Sequence, residues 1–544
     1  MKNISKTIAI TVLLLLSISA IAQNWKRTYS YPGRESWAYS VSEVYDSGYL
    51  LLSNFLKNAT SLHMGWLIKT DINGNKLWER FLGDWDGYGL VCEKFVETSD
   101  KGIALAGTWT KTPYSNSYDP IFLKLDVCGN LEWCRYFKTD DHGDFGINIM
   151  EVSDGYIGLM EYYGYDYATQ RISLTKLDLA GNVEWVQTYH SDSAYNEEGR
   201  TILQRSDGDI MVTGEAHVVK PGYEFQQPRP LFILTAPDGT LKDFGVLDVS
   251  DTLASTAWQT REKPGSIFFS SGYVYLTPAY FRNYPYFLKT NGNKEIVASR
   301  VLVDTAVVSD GMTQYLNFLS DTTLVMTYAT NYTIPSAAEC GLYKLDTSGN
   351  ILKIKALLHV GNHYVIGGLG ITQDHKILAC APEKQADSLR SVLFKLNSDL
   401  EDDSIYTMPH VYDWGCEGGV DPVLTIDPDC GFYVDIDELE RLPDYPEIIV
   451  YPNPVSDVLT VSLPEYLVTR SAKHNMQASV YIKDYQKDAS LEIFDIGGGL
   501  MVMQRLTSGQ REAIFNTNAL RQGMYFVHLV YQNRGASVVK FAKK

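Results

Sequence analysis

Aspartate side chains recur in several short segments of the chain, and their residue type suits cation binding. They are Asp84, Asp86, Asp140, Asp141, Asp144 and Asp192. Hard divalent cations such as Ca²⁺ prefer carboxylate and carbonyl oxygens, so a ring of these side chains can bind a cation, a cationic ligand or a glycan. Loop aspartates also cap turns and keep a surface soluble, and this plainer alternative stays open. The six residues are therefore candidate metal ligands for Ca²⁺, and no other cofactor is predicted.

Motifs of common catalytic centres are missing from the sequence. It contains no Gly-x-Ser-x-Gly, no His-Glu-x-x-His and no phosphate-binding loop. Paired carboxylates can cleave glycans, but no spacing in this sequence selects one pair. No catalytic residue is predicted.

The segments that must position the aspartates carry an internal repeat. A turn pattern, Asp-x-x-Gly-Asn, begins at Asp71, Asp126, Asp178 and Asp346. With weaker copies between them, the mean spacing from Gly74 to Gly349 is about 55 residues. A second turn marker, such as Asp100-Lys-Gly102, keeps the same spacing and precedes short β-rich runs. The chain between its two ends is therefore built from one repeated unit.

Two hairpin turns in each repeat imply four strands, which is the period and content of a β-propeller blade. Seven copies predict an all-β fold with a seven-bladed β-propeller over residues 23–408. In a propeller, the loops that lead from the outer strand of one blade to the inner strand of the next meet at one mouth of the channel. The candidate aspartates fall in these loops.

The N-terminal segment offers a way to close the ring. Trp25-Lys-Arg-Thr-Tyr29 is similar to the outer-strand segments that start at Trp78, Trp133 and Trp185. It is therefore predicted to supply the outer strand of the last blade, so that no sheet edge stays open. Residues 404–408 are a competing strand. Because the tryptophans share one repeat position, they are predicted to pack between neighbouring blades rather than to bind sugar.

Composition excludes some classes of protein. The 544 residues include 47 Lys and Arg against 65 Asp and Glu, a formal net charge of −18. This balance disfavours a nucleic-acid binder, which needs a basic surface. A hydrophobic fraction of 45% predicts a well-buried core. Acidic residues concentrate in 401–447, where Arg441 is the only basic residue, and residues 409–447 are therefore predicted as an extended, solvated linker.

Residues 1–22 have the features of a secretory signal peptide. Lys2 and Lys6 precede an apolar run, and Ala20-Ile21-Ala22 suits cleavage before Gln23. A membrane anchor is the alternative, but no charged stop-transfer segment follows. Export leads to an oxidising compartment, where disulfides persist. Of the seven cysteines, Cys416 and Cys430 are the predicted pair, because they close a short loop in a stretch with few core residues.

The C-terminal residues 448–544 carry a distinct set of motifs. They are the opening Tyr451, Pro452, Asn453 and Pro454, a late strand with Gly523 and Tyr525, and a basic end with Lys540, Lys543 and Lys544. Alternating apolar runs predict about seven short strands in a small Ig-like β-sandwich. These segments resemble the C-terminal sorting domain of type IX secretion substrates in Gram-negative bacteria. The resemblance implies handling by the type IX machinery, export across the outer membrane, and removal of the tail with anchoring or release; a generic Ig-like module is the alternative.

Together these features predict a secreted or cell-surface monomer whose propeller binds a glycan, a protein or a surface component without catalysis. The alternative is an enzyme that acts on glycans or peptides through carboxylates at the channel mouth. A structural component of the cell surface is a third possibility. Because one fold hosts many functions, the sequence does not identify the ligand.

Overall fold

The computed structural model describes residues 25–544 except 57–62, 84–88, 111–117, 138–142, 164–169, 192–193, 219–226, 248, 250–253, 276–281, 304–307, 309, 332–333, 335–336, 360–365, 386–387, 413–422, 425–429, 433–447, 464–466, 474–475, 483–485, 487–488, 497 and 532–533. The described residues form β-strands and no α-helix. Accordingly, they include no helix long and apolar enough to cross a membrane. The predicted signal peptide, residues 1–22, lies outside the described residues.

Most strands belong to seven antiparallel units, which we number 1 to 7 in chain order. After β1 (Lys26–Tyr29), unit 1 is β2 (Ser36–Glu43), β3 (Tyr49–Leu56), β4 (His63–Thr70) and β5 (Lys76–Leu82). Unit 2 is β6 (Gly89–Glu97), β7 (Ile103–Thr110), β8 (Tyr118–Leu125) and β9 (Leu131–Phe137). Unit 3 is β10 (Phe145–Val152), β11 (Gly155–Tyr163), β12 (Gln170–Asp178) and β13 (Val183–Tyr189). Unit 4 is β14 (Ala194–Gln204), β15 (Ile210–Val218), β16 (Gln227–Thr235) and β17 (Leu241–Val246).

The later units follow the same order, but in two of them the inner strand is broken into two pieces. Unit 5 is β18 (Ala254–Ser255), β19 (Gln259–Lys263), β20 (Ile267–Tyr275), β21 (Asn283–Thr290) and β22 (Ile296–Val301). Unit 6 is β23 (Gly311–Met312), β24 (Leu316–Phe318), β25 (Thr323–Thr330), β26 (Glu339–Asp346) and β27 (Ile351–His359). Unit 7 is β28 (Gly368–Ile371), β29 (Ile377–Gln385) and β30 (Ser388–Leu396).

The N-terminal strand completes unit 7. β1 pairs antiparallel with β30, from Lys26 opposite Phe394 to Tyr29 opposite Ser391. Residues 404–408, the competing segment, form no strand. The fold is therefore a β-propeller whose ring is closed by its N-terminal strand, as the sequence predicted.

The repeated turns explain why each unit forms and how neighbouring units pack. In the first turn, the Asp71 carboxylate accepts hydrogen bonds from the backbone N–H groups of Asn73 and Asn75, both at 2.8 Å. Gly74 adopts a φ of 76°, which a residue with a side chain rarely does. Four of the turn glycines also contact a tryptophan from the preceding outer-strand segment. The pairs are Trp25 at Gly74, Trp78 at Gly129, Trp133 at Gly181 and Trp185 at Gly239. The tryptophans therefore pack between units, as predicted.

The acidic segment 401–447, which includes the predicted linker 409–447, contacts the propeller at several of its described residues instead of extending freely into solvent. Asp403 forms ion pairs with Lys376 and Lys395, each at 3.1 Å. The backbone of Tyr406 exchanges two hydrogen bonds with the Asn73 side chain, both at 2.8 Å. β31 (Val423–Leu424) and β32 (Gly431–Phe432) then pair in parallel with the outer strands β5 and β9. Lysine partners and unpaired strand edges therefore outweigh the like-charge repulsion that the composition suggested.

The predicted disulfide between Cys416 and Cys430 is wrong. Cys430 is bonded to Cys134 on β9, with the two Cα atoms 5.4 Å apart and 296 residues between them in the chain. The pairing of β32 with β9 brings these residues together, and closeness in sequence could not reveal it. Cys128 is disulfide-bonded as well, while Cys92, Cys340 and Cys380 are free and buried.

The C-terminal residues form a separate small β-sandwich, as predicted. One sheet contains β33 (Ile449–Tyr451), β34 (Val458–Ser462) and β39 (Glu512–Asn516). The other contains β37 (Ala489–Asp495), β38 (Leu500–Arg505), β40 (Gly523–Tyr531) and β41 (Arg534–Lys543). β35 (Leu467–Lys473) and β36 (Met476–Ile482) form a separate two-stranded hairpin. Buried residues such as Leu459, Leu491 and Phe541 join the two main sheets in one core.

Candidate functional site

The inner strands of all seven units line one cavity of about 910 Å³, which we call the central cavity. Its aromatic lining residues are Trp37, Tyr39, Phe95, Trp258, Tyr315 and Phe318. Its amide side chains are Asn148, Gln259, Gln314 and Asn317. Its acidic and basic side chains are Glu93, Lys94, Arg200 and Arg261. A cavity of this size, with aromatic faces and a few polar groups, is typical of a ligand site.

β-Bulges in the first four inner strands supply part of this lining. The register with the neighbouring strand shifts across one extra residue in each of units 1 to 3 and at two places in unit 4. Four of the extra residues, Tyr39, Glu93, Ile147 and Arg200, line the central cavity. Bulges redirect side chains in this way and often occur beside functional sites. The sequence carries no local marker for them, which is why the sequence analysis missed these residues.

The Lys94 side chain of unit 2 contacts residues of units 1 and 6. Its Nζ donates to the Tyr39 carbonyl at 3.3 Å and to the Tyr315 hydroxyl at 3.0 Å. The ammonium also lies over the Tyr315 ring, 4.2 Å from its centroid. Within the described part of the chain, no carboxylate lies within ion-pair distance of Lys94. The neighbouring Glu93 is half-buried, and desolvation raises the pKa of its carboxyl group although Lys94 and Arg200 oppose the shift.

Arg261 is a second cation in the central cavity. Its Nε donates to the Asn317 side-chain oxygen at 3.1 Å. Burial lowers the pKa of its guanidinium group, and no carboxylate among the described residues forms an ion pair with it. Gln259, on the same strand, accepts a hydrogen bond from the Leu316 N–H at 2.7 Å. Units 5 and 6 are thus joined by polar contacts that leave the charge of Arg261 unneutralised by any described carboxylate.

Arg200 differs because it is ion-paired. Its Nη2 contacts the Glu198 carboxylate and lies 3.6 Å from Glu215 Oε1. The guanidinium also lies over the Trp258 ring, 4.5 Å from its centroid. Burial disfavours the charged form, but Glu161 and Glu215 outweigh that effect and raise the pKa of Arg200.

Behind Arg200 lies a polar cluster that consists of Glu161, Glu198, Glu215, His217 and Tyr273. The Tyr273 hydroxyl donates to Glu215 Oε2 at 2.9 Å. Glu161 is 2% exposed, and its Oε2 accepts from the Gln170 amide at 2.8 Å. The other oxygen, Glu161 Oε1, has no hydrogen-bond partner among the described residues. Burial raises the pKa of Glu161 to about 7, and the Glu215 charge adds to the shift.

Three members of the polar cluster have the residue types of a metal site. Ligand atoms of Glu198, Glu215 and His217 lie within 4.8 Å of one another. Burial lowers the pKa of His217, which keeps its imidazole neutral. Arg200 already supplies a positive charge to both carboxylates, so the arrangement is satisfied by an internal ion pair. The alternation of Glu215 and His217 on one face of β15 is the sequence signal for this set, and the sequence analysis did not use it.

The structure describes one of the six predicted calcium ligands, Asp144. Asp84, Asp86, Asp140, Asp141 and Asp192 lie outside the described residues. Asp144 is 1% exposed, its N–H donates to the Tyr118 carbonyl at 3.0 Å, and it is not among the residues that line the central cavity. A Ca²⁺ site formed by these aspartates stays a prediction.

The motif residues of the tail, far apart in sequence, come together in the structure. The Asn453 side chain accepts from the Ala542 N–H at 2.9 Å and donates to the Lys540 carbonyl at 3.3 Å. The Lys543 ammonium contacts the Ser456 carbonyl, and the Lys544 N–H donates to the Val455 carbonyl at 3.0 Å.

The tyrosines of the same motifs hold neighbouring parts of the tail. The Tyr451 hydroxyl donates to Glu512 at 2.6 Å. Tyr525, two residues after Gly523, stacks on Phe541 with ring centroids 5.5 Å apart. Pro452 and Pro454 flank Asn453, whose hydrogen bonds join the opening motif to the basic end of the tail.

Comparison with known proteins identifies the tail. Residues 449–544 match the family model described as the secretion system C-terminal sorting domain. The tail is therefore a type IX sorting domain, as its motifs predicted, and it implies export to the medium or the cell surface. No curated protein matches the chain.

Solved structures give likenesses for the propeller. The β-propeller domain of the trilobed protease from Pyrococcus furiosus has 12% identity and a TM-score of 0.40, covering 69% of this chain and 96% of that one. YCF48 from Cyanidioschyzon merolae has 10% identity and a TM-score of 0.38, covering 68% and 98%. An ulvan lyase described as a new family of polysaccharide lyase has 8% identity and a TM-score of 0.42, covering 69% and 96%. Such low identities give no basis for carrying an activity to this chain.

Proposed function

We propose that this chain, exported through its type IX sorting domain, is a non-enzymatic binding protein whose central cavity holds a glycan. The observation that carries the proposal is the lining of the cavity. Trp37, Tyr39, Trp258 and Tyr315 supply aromatic side chains, and four amide side chains lie among them. Aromatic rings pack against the apolar faces of sugars, and amides form hydrogen bonds with hydroxyl groups. A cavity with this lining suits a chain of sugars better than it suits a flat protein surface.

A glycan array probed with the full-length secreted protein tests this proposal. We expect binding to at least one class of polysaccharide without release of products. Trp37→Ala should weaken that binding about tenfold or more, because it removes an aromatic face from the cavity. The control variant is Ile354→Ala, whose side chain is 55% exposed on the outer strand β27. Equal binding by both variants, or no binding to any glycan, would refute the proposal.

The polar cluster supports a second candidate function, an enzyme that acts on glycans. A carboxyl group with a pKa near 7 can both donate and accept a proton at neutral pH, and strongly shifted groups concentrate in active sites. Glu161 has this property, and it lies close to Arg200, which also lines the cavity. Incubation of bound polysaccharides with wild type and with Glu161→Gln separates the two functions. Products formed by wild type and lost in the variant would establish the enzyme, whereas intact polysaccharide with both would favour the binding protein.

A further inference from the structure

The charge of the central cavity is opposite to the charge of the whole chain. The chain carries a net charge of −18, yet among the described residues that line the cavity the ionisable ones, apart from tyrosine, are three basic residues and one acidic residue. A cavity with low-dielectric walls concentrates the field of the charges that line it. An acidic protein that keeps its cations in the cavity therefore presents an attractive site for anions within a repulsive surface.

The basic residues of the cavity are not equally neutralised. Arg200 has two carboxylate partners, Glu198 and Glu215. For Lys94 and Arg261, the partners in the described structure are neutral oxygens and aromatic rings. Lys94 and Arg261 are only partly exposed to water, and partial withdrawal of a cation from water without a counter-ion has a cost. An anionic group of a ligand would offset that cost at both positions.

The two unneutralised cations come from different inner strands, Lys94 from β6 and Arg261 from β19, and both contact unit 6. Lys94 contacts Tyr315, and Arg261 contacts Asn317, two residues further along the same segment. Lys94 and Arg261 present two positive groups from two different inner strands, and the ring of Tyr315 lies beside Lys94. Two such groups suit repeated anionic groups on a chain better than one small anion.

We infer that the central cavity binds an acidic polysaccharide, whose carboxylate or sulfate groups lie at Lys94 and Arg261 and whose sugar rings pack on the aromatic lining. The inference rests on the proposed function, because it specifies the glycan that the cavity holds. It adds the chemical class of the ligand and the two residues that recognise its charge. Glu93 is the acidic residue of the described lining and lies next to Lys94 in sequence. The ligand must therefore leave room for the Glu93 carboxyl group.

Titration calorimetry on the full-length secreted protein tests the inference with three probes: polygalacturonate for carboxylate, dextran sulfate for sulfate, and neutral dextran. We expect one of the acidic probes to bind at least tenfold more tightly than dextran. The affinity should fall as salt is raised, because ions screen the attraction. The preferred acidic probe identifies which anionic group the cavity takes.

Matched variants connect the binding to the two residues. Lys94→Met and Arg261→Met should each weaken binding of the acidic probe tenfold or more. Lys94→Arg keeps the charge and should keep most of the affinity, which guards against a folding defect in Lys94→Met. Lys353→Met, on the outer strand β27, removes a charge outside the cavity and should have no effect.

Two results would overturn the inference in different ways. Dextran that binds as tightly as the acidic probes, with loss of binding in Trp37→Ala, would leave the proposed function standing and refute the acidic ligand. Acidic probes that bind equally to Lys94→Met, Arg261→Met and Lys353→Met would show general attraction to surface charge and refute the site. No binding of any glycan in the array would refute the proposed function itself.

Discussion

The outer hairpins of the propeller repeat one residue pattern, whereas the inner strands carry different residues in different units. At the outer rim, one turn pattern repeats, and the turn glycines Gly74, Gly129, Gly181, Gly239 and Gly349 each meet an aromatic or arginine side chain from the neighbouring unit. At the central cavity, equivalent inner-strand positions carry different residues, such as Tyr39, Glu93, Ile147 and Arg200. Repetition at the rim maintains one packing geometry between successive units. Variety at the centre has no such structural use, and it indicates that the inner strands carry the function.

The largest expected loss of stability follows from substituting a glycine in one of the repeated turns at the rim. Gly181 has a φ of 78°, and a Cβ at this position would lie 2.4 Å from the Trp133 ring. Gly181→Ala should lower the free energy of unfolding by about 4 kcal/mol, through backbone strain and the displaced ring. Urea denaturation measures the loss.

A matched control separates the two causes. Gly265 also has a positive φ, 88°, but a Cβ there would meet no atom within 4 Å. Gly265→Ala should therefore lose only about 1 kcal/mol, the cost of the backbone conformation. Equal losses in the two variants would contradict the packing role of the tryptophan.

The disulfide to the linker gives the next largest expected effect. Cys134 and Cys430 are 296 residues apart, so their bond restrains a long loop in the unfolded chain. Cys134→Ser should lower the free energy of unfolding by about 3 kcal/mol. Cys430→Ser and the double variant should lose the same amount, because each removes the same bond. Additive losses in the double variant would show that the two cysteines are not partners.

The polar cluster predicts a dependence of stability on pH. Burial raises the pKa of Glu161 from 4.5 to about 7, so the folded chain retains this proton at pH values where the unfolded chain has released it. The stability of wild type relative to Glu161→Gln should therefore fall as pH rises from about 4.5 to 7 and stay level above that range. The total change should be about 3 kcal/mol. A difference between the two proteins that does not vary with pH would contradict the shifted pKa.

The sorting domain provides the smallest expected effect. Asn453→Ala removes the hydrogen bonds to Ala542 and Lys540, which should cost about 1 kcal/mol of local stability. Hydrogen exchange of the Ala542 amide should then accelerate about fivefold. Asn518→Ala, in an exposed turn of the same domain, is the control and should leave that amide unchanged.

Features set by a short stretch of sequence could be predicted, whereas features set by residues far apart in the chain could not. The turns, the tryptophan contacts and the closing strand β1 were predictable, because each is a short pattern that recurs. The disulfide prediction was wrong because the partner of Cys430 is set by a strand pairing almost three hundred residues away. The linker was misread for a similar reason, since its composition does not show the open strand edges on which it docks.

The cavity residues were missed for another physical reason. A bulge at Glu93 or Arg200 depends on how two strands pair, and neither residue differs in type from an ordinary surface side chain. The tail was identified, by contrast, because its motif residues are the same ones that contact each other in the fold. The residues of the central cavity are thus defined by their positions in the ring and not by a sequence motif.

Hydrogen exchange with and without a saturating acidic polysaccharide tests the central claim most directly, because it reports on the rim and the centre in one measurement. We predict slower exchange in the inner strands β6, β19 and β24, next to Lys94, Arg261 and Tyr315, and unchanged exchange in the outer strands β22 and β27. Protection confined to the outer strands, or none in the inner strands at saturation, would contradict the assignment of the ligand to the central cavity.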